Sequence, residues 1–173
     1  NPYEEIVFPT VTPLDVPVTG IKPGLFKGNT TLKKITIPKE YTAIGDETFS
    51  GCTALEEVIF EEGSNLTRIG VKSFEGCSKL KTFVIPPAVT GIEAGAFYNC
   101  SQLNITSLPE GVDNIAQYAF AGTGITSVNL EHVTTLLEGA FDGCTKLETV
   151  TNTQNLVRVY KFAFRNVKAA VTG

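Results

Sequence analysis

The sequence predicts a β-dominated α/β repeat fold: a right-handed solenoid with a parallel sheet of about seven strands on one face and turns or short helical segments opposite. Two observations support this prediction. Phenylalanines recur along the chain at separations of 21 to 25 residues, and the apolar residues around them recur in the same register. A unit of about 23 residues with one strand cannot bury its own apolar face, so it must stack on copies of itself.

The phenylalanine column defines the unit. An aliphatic residue lies five positions before each phenylalanine, and a glycine or asparagine lies two positions after it. The members of the column are Phe26, Phe49, Phe74, Phe97, Phe120, Phe141 and Phe164. We interpret them as a buried stack of rings and not as an aromatic binding surface, because each buried ring adds a large apolar contribution to folding.

Each unit continues with an apolar pattern of the form Leu-x-x-Ile-x-Ile, as in Leu32, Ile35 and Ile37. Alternation of apolar and polar residues is typical of a half-buried strand. Prolines such as Pro38 and Pro86 follow, and a proline at this point ends a strand. The short segment around each phenylalanine is too short for a stable helix, so we expect a tight turn or a single helical turn there.

The whole chain, residues 1–173, is predicted to form a single repeat domain. Residues 3–9 match the strand pattern and are expected to form the first strand, followed by an inserted loop at 10–17. The alternative for residues 3–9 is a disordered lead-in. Residues 18–173 hold about six and a half repeats of 21–25 residues, and the pattern weakens at the end, where Val167 replaces the cysteine of earlier units.

Composition argues against several classes of protein. The formal net charge is -4, whereas a nucleic-acid-binding domain normally carries a basic face. No apolar run reaches the roughly 18 residues that would suggest a membrane span. The chain contains no methionine, so a signal peptide would lie outside it.

The sequence offers little support for catalysis, and we expect neither an enzyme, nor a cofactor, nor a metal site. The single histidine, His132, follows a predicted strand and is expected to be a solvated loop residue. Glutamate pairs at 4–5, 56–57 and 61–62 could act as glycosidase acids or cation ligands, but we favour solvated surface charge.

Four cysteines, Cys52, Cys77, Cys100 and Cys144, occupy one column of the repeat, three residues after the phenylalanine. Stacked equivalent positions point the same way, which is poor geometry for a disulfide. We therefore expect free, buried thiols that fill space as small apolar groups.

The strand residues that alternate with the core positions are predicted to point outward and to form the candidate binding face. This face is mostly neutral and polar, with an apolar patch at Ile59, Val84 and Ile105. Such a surface suits contact with a protein or a glycan, and the alternative is a face that binds nothing or packs against another domain. The outward residues are Lys34, Thr36, Glu57, Ile59, Thr82, Val84, Ile105, Ser107, Ser127, Asn129, Thr149 and Thr151.

The units resemble the BspA-type leucine-rich repeat of bacterial and some protist surface proteins. The residues that carry the resemblance are Ile44-Gly45, Phe49, Ser50-Gly51-Cys52 and Leu55, with a longer variant of the unit at 58–66. The resemblance covers about residues 18–164. It implies a secreted or cell-surface location and a non-catalytic adhesion module with partners such as host matrix proteins or other cells. The alternative function is a structural spacer or interaction segment of a longer cell-envelope protein.

Overall fold

A computed structural model of the protein describes residues 4–81, 83–168 and 170–171. The strands of one face, which we call the long-strand face because most of them have three or four residues, are β1 Glu5–Val7, β3 Lys34–Ile37, β5 Glu57–Phe60, β9 Ser127–Asn129, β11 Thr149–Thr151 and β13 Ala170–Val171. The short strands are β2 Gly20–Ile21, β4 Ala43–Ile44, β6 Arg68–Ile69, β7 Gly91–Ile92, β8 Asn114–Ile115, β10 Thr135–Leu136 and β12 Arg158–Val159. A 3-10 turn lies at Thr153–Asn155.

These elements stack in parallel as a β-solenoid with almost no helix among the described residues, which confirms the predicted repeat fold. Each unit contributes to three faces: the long strands, the short strands and a hydrogen-bonded turn. The apolar side chains of all three faces meet in one continuous core. The stack is therefore held by contacts between neighbouring units, as expected for a repeat protein.

The sequence interpretation missed the short-strand face. Its strands contain the aliphatic residue five positions before each phenylalanine and pair in the orders β2-β4-β6-β7 and β8-β10-β12. The available signal was the recurring Ile-Gly pair. A Cβ added at Gly45 would lie 2.5 Å from the carbonyl oxygen of Ile21, and one at Gly70 would lie 2.7 Å from that of Ile44. Glycine is used here because the backbones of adjacent units approach closely.

The long strands form two sheets and not one. One sheet has the order β1-β3-β5 and the other has β9-β11-β13. Between them, the described residues of the units around Phe83 and Ile105 form no strand. Phe83 stands where other units have Ile or Val, and Pro86-Pro87 lacks backbone donors. The interruption therefore coincides with a larger ring in the core; proline alone does not produce it, because Pro38 holds the equivalent position after β3 and β3 still pairs with β1.

At the N-terminal end, β1 lies beside β3 with Glu5 opposite Lys34 and Ile6 opposite Ile35. Residue 3, with which the expected first strand begins, lies outside the described residues. In the segment 10–17, Val11 forms an antiparallel bridge with Pro17, and Leu14 at its tip is 85% exposed. The segment leaves the stack between β1 and β2.

The turn face runs without interruption along the interior units of the stack. The N–H of Phe74 donates to the carbonyl of Ala96 over 2.8 Å, and that of Phe97 donates to Ala119 over 2.9 Å. Equivalent bonds join Phe49 to Ser73 and Phe120 to Ala140. The segment is a turn and not a helical turn. Its residue two positions after the phenylalanine has a positive φ, a conformation that glycine and asparagine adopt at little cost.

The phenylalanine rings stack inside this turn face. Consecutive ring centroids lie 5.2 to 5.6 Å apart, and the ring planes differ by only 4 to 15°. The five interior rings are fully buried, whereas Phe26 and Phe164 at the two ends are partly buried. The predicted buried stack is confirmed for Phe49, Phe74, Phe97, Phe120 and Phe141.

We predict that Phe97→Ala destabilises the protein by about 3–5 kcal/mol, the range for loss of a buried phenylalanine. Phe97 is flanked by Phe74 and Phe120, each at 5.5 Å, so its loss weakens two interfaces. Phe164→Ala should cost clearly less, because Phe164 is partly buried and stacks on Phe141 alone. Denaturant midpoints of both variants measure the difference. Equal losses would contradict a linear stack of units.

Candidate functional site

The structure places most of the predicted outward residues on the surface of the long-strand face. Glu57 and Lys34 lie opposite each other on β5 and β3, and their side chains form an ion pair at 3.2 Å. Thr82 lies outside the described residues. The exposed members are Glu57, Val84, Ser107, Ser127, Asn129 and Thr149, and the partly buried ones are Lys34, Thr36, Ile59 and Thr151.

The prediction that Ile105 points outward is wrong. Its side chain is 3% exposed and belongs to the core, whereas Thr106, the expected core residue, is exposed. In this unit the core isoleucine follows Leu103 by two residues, and in the template it follows by three. Burying the larger aliphatic side chain is favoured over burying a threonine hydroxyl, so the chain shifts its register locally.

The apolar patch on the long-strand face therefore consists of Ile59 and Val84. Val84 is 71% exposed and Ile59 is partly buried. The two residues lie on opposite sides of the gap between β5 and the next unit. Their position beside an interrupted sheet was not visible in the sequence, because the pattern predicted an unbroken ladder.

A cleft of about 380 Å³ opens at this gap, and we call it the β5 cleft. One wall is β5 with the turn that follows it, and the other is the segment 84–87. The lining residues are Glu57, Val58, Ile59, Phe60, Glu61, Glu62, Gly63, Ser64, Val84, Pro86 and Pro87. The walls are predominantly apolar, and three carboxylates stand at the cleft.

Another cavity, of about 270 Å³, lies on the turn face. Two tyrosines, Tyr98 and Tyr118, meet edge to face there with ring centroids 6.3 Å apart. The hydroxyl of Tyr118 donates to Glu138 over 3.1 Å. The tyrosines are thus held by neighbouring units and leave a shallow concavity on the side opposite the long strands.

Nothing in the described part of the chain assembles a reactive centre that sequence analysis overlooked. His132 is exposed on the loop after β9. Among the residues that the structure describes, no group of three or more His, Cys, Asp or Glu side chains is placed to hold a metal ion. No helix in the same residues is long and apolar enough to cross a membrane.

All four cysteines are buried and free, which confirms that they fill the core and form no disulfide in this structure. Each thiol also donates a hydrogen bond to the carbonyl of a phenylalanine in the preceding unit. The bond from Cys100 to Phe74 is 2.9 Å and the bond from Cys144 to Phe120 is 3.0 Å. The same carbonyls also accept a backbone N–H within their own turn, as Phe74 does from Cys77 over 3.1 Å, so the thiol adds a second donor that links two units.

Burial makes these thiols poor nucleophiles. Desolvation raises the pKa of Cys52 from about 9 to about 12, with a smaller contribution from the neighbouring Cys77. Desolvation also raises the pKa of Cys144. Because the thiolate is the reactive form, the raised pKa of Cys52 and of Cys144 keeps these two thiols unreactive near neutral pH, and burial shields all four cysteines from reagents.

The architecture defines a stacked-repeat protein with an exposed strand face. Residues 19–147 and 131–171 match the family model described as the BspA type leucine-rich repeat region, and the match comprises six copies. The chain belongs to the BspA-type leucine-rich repeat family, so the predicted resemblance is confirmed. Repeats of this family commonly serve in protein interaction on bacterial surfaces and are generally non-catalytic.

Solved structures of bacterial leucine-rich repeat proteins are similar to the chain. A leucine-rich repeat protein of Treponema pallidum is 28% identical over 90% of this chain and 72% of its own, with a TM-score of 0.81. A leucine-rich cell surface protein of Faecalibacterium prausnitzii is 29% identical, with 86% and 47% covered and a TM-score of 0.64. A leucine-rich repeat protein of Bacteroides ovatus is 25% identical over 95% of this chain and 50% of its own, with a TM-score of 0.70.

The chain therefore spans about half the length of the last two proteins. No curated protein matched the sequence.

We predict that Ile105→Ala costs about 2–5 kcal/mol of stability, the range for a buried aliphatic side chain. The neighbouring Thr106→Ala should change stability by no more than about 0.5 kcal/mol, because Thr106 is exposed. Denaturant unfolding of the two variants measures both values. A larger loss for Thr106→Ala would restore the register expected from the sequence.

We predict that no cysteine reacts with a thiol reagent in the native protein near neutral pH and that all four react after unfolding without reductant. A native Cys52 pKa above its unfolded value means that the folded state holds this proton more tightly. The resulting stability is complete below pH 9 and is lost as pH rises from about 9 toward about 12. Thiol titration and unfolding midpoints against pH test this. Fewer than four thiols in fresh unfolded protein would indicate a crosslink.

Proposed function

We propose that the chain is a non-catalytic, surface-exposed binding and adhesion module whose long-strand face contacts a protein or glycan partner. The observation that supports this most directly is the exposed face itself. It combines neutral polar residues such as Ser127, Asn129 and Thr149 with a concave apolar site at Ile59 and Val84. Binding sites in proteins are typically concave and mostly apolar, with a few polar groups that orient the ligand.

The repeat scaffold supports such a role. Ring stacking and the turn ladder hold successive units in fixed register, so the strand face is presented over the length of the stack. A prearranged surface loses little conformational freedom when a partner binds, and this favours affinity.

The proposed location is the cell surface or the extracellular space. The family occurs in surface proteins, and the similar Faecalibacterium prausnitzii structure is described as a leucine-rich cell surface protein. Host matrix proteins or the surfaces of other cells are the partners that we propose for a module of this kind.

We predict that the double variant Ile59→Glu, Val84→Glu loses partner binding by about tenfold or more, because its charges would be buried without partners at the contact. Folding should be nearly unaffected, since Val84 is 71% exposed and Ile59 is partly exposed. Binding is measured by biolayer interferometry against a panel of purified matrix proteins and by glycan array.

The matched control is Gln102→Glu, Thr145→Glu, which adds the same charge at exposed positions away from the strand face. The control should bind like the parent protein. Equal binding by the parent and the double variant to every partner would place the contact away from Ile59 and Val84. Equal loss in both variants would indicate that net charge, and not the strand face, controls binding.

A further inference from the structure

The β5 cleft lies along the edge of β5 that faces the unit of Phe83, where the described residues form no strand. In the ladder between β3 and β5, Glu57 donates its N–H to Lys33 over 3.2 Å and Glu61 donates to Ile37 over 3.1 Å. In a parallel ladder, alternate residues bond to the same neighbour, so the intervening Phe60 turns its N–H and C=O toward the other side. The next unit is bonded just before β5, where the N–H of Lys81 donates to the carbonyl of Glu56 over 3.3 Å, and beyond that point no backbone hydrogen bond joins the described residues 58–60 and 83–86.

Two aromatic side chains account for this free edge. The Phe60 and Phe83 rings meet edge to face with centroids 5.3 Å apart. Phe83 also packs edge to face on Phe74 and Phe97 at 5.2 and 4.9 Å. These buried contacts hold the unit of Phe83 in a position set by ring packing and not by backbone pairing. The edge of β5 is therefore kept open by the core.

The open edge has apolar walls on which side chains can pack. Ile59 lines it from β5, and Val84, Pro86 and Pro87 line it from the next unit. The volume of about 380 Å³ lies within the range of roughly 300–1,000 Å³ that is typical of ligand pockets. The proline pair contributes apolar surface without donors that would compete for the β5 edge.

The charges at the cleft have a single sign. Three glutamates line it, and none of the described lining residues is basic. Glu57 is neutralised by Lys34 at 3.2 Å. Glu61 accepts a hydrogen bond from the backbone N–H of Lys39 at 3.1 Å, and neither Glu61 nor Glu62 has an ion pair with a described cation. Two carboxylates thus remain to attract a cation beside an apolar site.

We propose that the β5 cleft binds an extended peptide segment of a partner protein, in which an apolar residue is flanked by lysine or arginine. The peptide backbone pairs with the free edge at Phe60, its apolar side chain packs between Ile59 and Val84, and its cation lies beside Glu61 and Glu62. Pairing of a peptide with an exposed strand edge is an established mode of recognition. This proposal rests on the proposed function of the strand face and names the partner's chemistry.

The experiment starts from a phage-displayed library of random linear peptides selected against the intact protein. Peptides that bind should be enriched in aliphatic residues next to lysine or arginine. Synthetic copies of the enriched peptides are then measured by fluorescence anisotropy against Val84→Lys and Glu62→Lys. Affinity should fall about tenfold or more in both variants and should weaken with added salt. The matched control Ser127→Lys places the same charge on the exposed face outside the cleft and should bind normally.

Hydrogen exchange provides a readout of strand pairing. The Phe60 amide should exchange faster than that of Glu57, which is bonded to Lys33, and bound peptide should slow it. Selected peptides that lack lysine and arginine, or peptides that bind Val84→Lys as tightly as the parent protein, would overturn the proposal.

The outcomes separate this inference from the proposed function. Peptides or glycans whose binding is lost in Ser127→Lys and kept in Val84→Lys would leave strand-face binding intact and overturn the β5 cleft as the site. Binding that none of these three variants reduces would overturn both. Peptide binding that is lost only in Val84→Lys and Glu62→Lys, together with slower hydrogen exchange at the Phe60 amide, supports both the β5 cleft and the proposed function.

Discussion

The turn that carries each core phenylalanine is the constraint on which the rest of the solenoid depends. Its backbone N–H groups donate to the turn of the next unit at every interior phenylalanine from Phe49 to Phe141, and its rings stack 5.2 to 5.6 Å apart. The cysteine thiols add bonds from one unit back to the phenylalanine carbonyl of the unit before it. Hydrogen bonding and apolar burial therefore reinforce the same spacing.

Because the turn face sets the spacing of the units, the long-strand face can be irregular without loss of the stack. The strand ladder stops after β5 and resumes at β9, while the turn bonds from Phe74 and Phe97 continue across this stretch. The bulk of Phe83 is accommodated at the cost of strand pairing. The interruption creates the concave site of the strand face, so a departure from the repeat produces the feature most suited to binding.

The chain belongs to the BspA-type leucine-rich repeat family, whose repeats are generally non-catalytic, and it is similar to bacterial leucine-rich repeat structures. In such a scaffold, specificity resides in the residues that face outward, because the inward residues are committed to the stack. Neutral polar side chains cover the β9-β11 end of the face, whereas apolar and acidic side chains gather at the β5 cleft. The two regions offer different chemistry on one continuous surface.

Periodicity in the sequence was enough to determine the repeat, the buried phenylalanine and cysteine columns and most outward positions, because each follows from local spacing and the burial of apolar side chains. The short-strand face follows the same spacing, but the alternation of apolar and polar residues did not reveal it, because its strands are only two residues long. Tertiary packing alone decided the local register at Ile105 and the break beside β5. Both depend on which side chains compete for space in the core: Ile105 displaces Thr106 from the interior, and the contacts of Phe83 with Phe60, Phe74 and Phe97 outweigh continuation of the strand ladder.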